Sequence, residues 1–155
     1  MTAMRPLADY SGKHRPMQDG DMLPASILPP AQGTSVVVSK VAHGFVVGEP
    51  VRLDIDSLGD QTWSAAYADS TLTHTATHYV VAVVDANTFR AACSGYWPII
   101  PASPVYGLQI LGPTAGSVVA SVIDLPHEVG IQPLGMLDAT GLHINILSYV
   151  RDLTP

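Results

Sequence analysis

Val36–Arg52 reads VVVSKVAHGFVVGEPVR. Val36, Val38 and then Val41 alternate with other residues, as a half-buried strand requires. The run enters His43-Gly44-Phe45, and Gly48-Glu49-Pro50 leads into a second strand, Val51-Arg52-Leu53. The glycines stand where the backbone must bend or take positive φ. Pro50, lacking an N–H, suits the first residue of a strand better than its centre. His43, set in a Gly-flanked turn, is expected to cap the backbone through a ring nitrogen.

The same grammar continues along the chain. Strands are expected at 34–41, 50–55, 61–67, 78–85, 88–93, 105–111, 117–122, 129–137 and 142–150, with turns rich in Gly, Pro, Asp and Asn between them. The run HYVVAVV (78–84) is β-branched and continuously apolar, which predicts a central strand buried on both faces. Asp85-Ala86-Asn87 and Asp138-Ala139-Thr140-Gly141 have hairpin-turn chemistry. This predicts an all-β chain: a single antiparallel β-sandwich or small β-barrel over residues 33–155.

Residues 1–32 differ. They hold Pro6, Pro16, Pro24, Pro29 and Pro30, with only brief apolar runs between polar breaks. Such a segment cannot build a core of its own and reads as an extended arm. Arg5, Pro6, Leu7, Met22, Leu23, Pro24, Ile27 and Leu28 would be its contacts with a neighbouring protein.

Only 13% of the 155 residues are charged, while 47% are hydrophobic. A typical soluble domain has about 25% charged residues, so much apolar surface must face either water or a partner. Self-assembly is therefore expected. The net charge of −6, from 11 Asp and two Glu against seven Lys and Arg, argues against nucleic acid as a partner. With no secretory leader and no apolar run of membrane-spanning length, neither export nor a membrane is expected.

No spacing makes a catalytic centre or calls for a cofactor. His74 and His78 would lie about 13 Å apart on a strand, too far to share a metal ion. Asp54, Asp56 and Asp60 lack the Gly and Glu of an EF-hand and read as a solvated hairpin tip. His127-Glu128 has no supporting serine or second acid. Cys93, beside Phe89, Ala91 and Ala92, reads as a small buried residue. Trp63, Tyr67, Tyr96 and Trp97 offer an aromatic patch for subunit contact or, alternatively, for stacking on a glycan.

The order of motifs resembles a domain of tailed-bacteriophage virion proteins of the tail-fibre and head-decoration kind. The pieces that carry it are VAHGFVVGEPVRL (41–53), QTWSAAYADS (61–70), HYVVAVVDANTFRAACSGY (78–96), PVYGLQILGPTAGSV (104–118) and EVGIQPLGMLDATGLHINIL (128–147). RPLADYSGKHRPMQDGDMLPASIL (5–28) is similar to segments that join fibre modules. The loop 54–60 and the insert 72–77 are longer and more polar than the pattern. The resemblance implies a non-enzymatic structural subunit, a homo-oligomer and most simply a homotrimer, located in the virion after assembly in the host cytoplasm. Its arm would attach to capsid, collar or tail proteins. A tail or collar fibre component or fibre base is the leading placement. A capsid decoration protein and a carbohydrate-binding module contacting host glycan are the alternatives.

Overall fold

The computed structural model describes residues 7–10, 13–16, 33–147 and 150–151. The chain divides into two compact units, Met1–Pro30 and Ala31–Pro155. In the first, β1 (Leu7–Tyr10) and β2 (Lys13–Pro16) pair antiparallel as a hairpin, which the sequence reading does not assign.

The second unit is built of two five-stranded antiparallel sheets. One contains β3 (Val36–Ser39), β4 (Pro50–Ile55), β5 (Gln61–Ala65), β6 (His78–Asp85) and β7 (Thr88–Ala92), in the order β3-β7-β6-β4-β5. The other contains β8 (Ser94–Trp97), β9 (Gly107–Leu111), β10 (Val118–Val119), β12 (Pro133–Leu137) and β13 (Leu142–Asn145), ordered β10-β9-β12-β13-β8. A short pair, β11 (Gly130–Ile131) with β14 (Val150–Arg151), completes the described strands. The architecture is thus the expected antiparallel, sandwich-like all-β arrangement, and neither sheet closes into a barrel.

Alternation along β6 explains how the sheets are covered. Tyr79 and Val81 point to one face, where they join Ala92, Trp97, Leu111, Leu134, Leu137, Leu142 and Ile144 in a core drawn from both sheets. Val80 points to the other face and packs with Val38, Phe45, Val51, Trp63, Phe89 and Ala91. Phe45 comes from the loop before β4, so that loop roofs the outer face of the first sheet. Phe89 is the hub beneath it: Phe45 and Trp63 meet its ring edge-on at 5.2 and 5.6 Å. His43 performs the capping expected of it. Its Nδ1 accepts from Phe45 N–H at 2.9 Å, and its Nε2 lies 2.8 Å from the Asp85 carbonyl oxygen.

Several details differ from the sequence reading. Burial on both faces holds for Tyr79–Val81 but not for Val83 and Val84, which are exposed where two register shifts bend the strand. The strand expected over 129–137 breaks at Gln132. The buried Gln132 amide accepts from Ala76 N–H and donates to the Ala76 carbonyl, both at 2.8 Å, replacing a ladder rung with a side chain. β8 lies outside the strands expected from the sequence. Cys93 is exposed rather than buried: it is the bend between β7 and β8, where the chain leaves one sheet for the other.

Candidate functional site

Of the arm positions, Arg5, Pro6, Met22, Leu23, Pro24, Ile27 and Leu28 lie outside the described residues, and Leu7 opens β1. The four aromatic positions do not share a face. Trp63 is 5% exposed in the outer core of the first sheet, whereas Trp97 is 7% exposed in the core between the sheets. Neither indole presents a ring face to solvent on which a sugar could stack. Tyr67 stacks on His74 at 4.3 Å, while Tyr96 donates to the Thr140 carbonyl at 2.8 Å and lies beside His143.

Two histidines pair with aspartates. His74 Nδ1 is 2.6 Å from Asp69 Oδ2, and Thr73 Oγ1 is 3.0 Å from that same ring nitrogen. A hydroxyl on the nitrogen that faces the carboxylate is not in line for activation across the ring, so the trio is not a nucleophilic triad. His143 Nε2 lies 3.1 Å from Asp138 Oδ2, and Asp138 Oδ1 accepts from Thr140 and Gly141 N–H. The Thr140 hydroxyl, followed by those N–H groups, holds the Asp138 carboxyl well below its usual range, at about 2. At the tip 54–60, Asp56 Oδ1 accepts from Leu58 and Asp60 N–H, and Asp54 pairs with Arg52. Among the described residues no three His, Cys, Asp or Glu gather as a metal site, and no helix is long and apolar enough to cross a membrane.

A cleft of about 360 Å³ opens between the loop preceding β4 and the turn joining β9 to β10. The loop is anchored to the first sheet, since Gly48 N–H donates to the Val80 carbonyl and Val80 N–H donates to that of Glu49. The turn is anchored independently by Gly116 N–H donating to the Ala66 carbonyl at 2.7 Å. Valine, proline and alanine side chains form most of the wall, and Glu49 is its carboxylate. One oxygen, Oε2, accepts from Val46 N–H at 3.0 Å. The other lies against Gly116, where φ is +73° and a Cβ would stand 2.2 Å from Oε1. Glycine there supplies both the backbone conformation and the room for the carboxylate. Desolvation raises the Glu49 pKa above the usual range, only partly offset by the Val46 N–H and the nearby His43.

The outer face of the second sheet has a different character. The registers place Leu108, Met136, His143 and Tyr96 side by side across β9, β12, β13 and β8. Leu108 and Met136 are 43% and 45% exposed, and no described loop roofs them as Phe45 roofs the first sheet. A second cavity of about 290 Å³ is lined by Val122, Ile123, Leu125, His127 and Val129, among others, around the 3-10 turn Val122–Asp124. Sequence patterning alone missed both features, because neighbours across strands are set by register. Comparison with known protein families, with curated proteins and with solved structures finds no match to this chain.

Proposed function

We propose that the chain is a non-enzymatic structural subunit that assembles with copies of itself, most simply as a trimer, and that it serves as a component of a tailed-phage virion. The observation that carries self-assembly is the unroofed row Leu108–Met136–His143–Tyr96 on a chain with so few charges. Leu108 and Met136, exposed side by side on this uncovered sheet face, gain free energy by being covered. A contact of about 800 Å² per partner, at roughly 25 cal/mol per Å² before association costs, is the scale required. The virion assignment and the arm's attachment to capsid, collar or tail proteins rest on the motif resemblance, with a tail or collar fibre component as the leading placement. The burial of both indoles weighs against the glycan-binding alternative.

Light scattering on the full chain tests the assembly. The expected mass is about three times 16.3 kDa, and a soluble monomer at high concentration overturns the reading. Peptides of this chain in purified virions from its source are the expected result for the placement; their absence removes it.

A further inference from the structure

The described lining of the cleft beside Glu49 supplies hydrogen-bond acceptors but no cation. Among the described residues the lining contains no Lys, Arg or His, and His43 is the nearby titratable group that acts on Glu49 from outside it. Glu49 Oε2 is engaged by Val46 N–H, and Oε1, seated on the Gly116 cradle, has no hydrogen-bond donor among the described residues. Gln109, itself buried in the same wall, donates its amide N–H groups to the carbonyls of Val105 and Gly107. What remains to Gln109 is the acceptor Oε1. Around these acceptors stand Val46, Val47, Pro101 and Val118, an apolar sleeve. A ligand matching this arrangement has N–H donors, a positive charge and a short aliphatic stem. A neutral apolar molecule would leave the carboxylate desolvated and unpaired.

We propose that this cleft is a binding site for a primary alkylammonium group, with Glu49 as its counter-ion, Gln109 Oε1 as a second acceptor and Gly116 as the residue that makes room for the carboxylate. The site stands independently of the assembly reading. A free alkylamine and a lysine side chain presented by another protein share this chemistry.

The test uses the full chain and n-butylammonium as the probe, following the backbone amide signals of Gly48 and Gly116 by NMR. Saturable shifts at both are expected, with Glu49→Gln binding at least about tenfold more weakly, a loss of roughly 1.4 kcal/mol. Gln keeps an acceptor for Val46 N–H and removes a desolvated charge, so the variant is expected to fold with unreduced thermal stability. Binding should also fade as pH falls through the raised Glu49 titration, His43 being the other titratable group that acts on this carboxylate. In the parallel arm, tighter binding of Nα-acetyl-lysine methylamide assigns the site to a lysine of a protein partner, and tighter binding of n-butylammonium assigns it to a free amine. Absence of shifts, shifts that survive Glu49→Gln, or equal binding of n-butanol would overturn the proposal.

Discussion

Tyr79 is fully buried in the core between the sheets, and its hydroxyl has no hydrogen-bond partner among the described residues. Burial pushes its ionisation far above the usual phenol range. An unsatisfied buried hydroxyl costs about 1–3 kcal/mol, so Tyr79→Phe is expected to stabilise the fold by roughly 1 kcal/mol in chemical denaturation. A loss of stability would show that the hydroxyl has a partner. Asp138 gives the opposite lesson, being an exposed carboxylate whose ionised form the fold favours. Its folded pKa, about 2, lies below the ordinary value of 3.8. Its contribution is therefore complete above that ordinary value and is lost as pH falls from about 4 toward 2. Thermal melts should show Asp138→Asn less stable than the native chain at neutral pH, with the two curves converging near pH 2. The turn role of Asp138 was legible in Asp-Ala-Thr-Gly, because Asx turns depend on neighbours in sequence. The orphaned Tyr79 hydroxyl was not, because its surroundings come from both sheets.

Among the elements, the Thr-rich segment before β6 acquires a physical account. Backbone pairing between β4 and β6 covers only Pro50 and Val51. Beyond it, Thr77 Oγ1 accepts from Leu53 N–H at 2.8 Å, while the Arg52 guanidinium donates to the carbonyl and hydroxyl oxygens of Thr75. Threonine side chains thus take over where the strand ladder stops. Gln132 does the same for Ala76, and does so in a buried place. Gln132→Ala would strand an N–H and a carbonyl in the interior and is expected to destabilise by on the order of 3 kcal/mol in urea unfolding. A cost near zero would mean that water or the backbone replaces the amide. β12 carries a further constraint at Gly135, where φ is +147° and a Cβ would stand 2.0 Å from the His143 carbonyl oxygen. That glycine allows the strand to carry its register shift beside β9 without leaving β13.

At the scale of the whole molecule, the two sheets are covered unequally. The loop bearing His43 and Phe45 roofs the outer face of the first, while Leu108 and Met136 lie bare on the second. If that face carries the proposed self-association, the double variant Leu108→Lys, Met136→Lys should run as a folded monomer in light scattering, because two cations would have to be desolvated at the contact. Association through apolar burial should also change little with added salt, whereas contact through ion pairs would weaken. An unchanged oligomer in the double variant would move the interface elsewhere, with the exposed Val122 and Ile123 the next surface to alter.

The all-β class, the ends of β4 and β6, the hairpin turns and the capping role of His43 followed from the sequence, because alternation and turn chemistry act between residues close along the chain. The proposed virion role rests on the same level of information, through the resemblance of short motifs. Only the tertiary structure decided which strands lie side by side, and with them the row Leu108–Met136–His143–Tyr96, the burial of Trp63 and Trp97 in separate cores, the exposure of Cys93 at the crossing between sheets and the meeting of Glu49 with Gly116. Each of these depends on strand register and on which sheet a strand joins. Those are settled by burial summed over residues far apart in the chain, which no local pattern encodes.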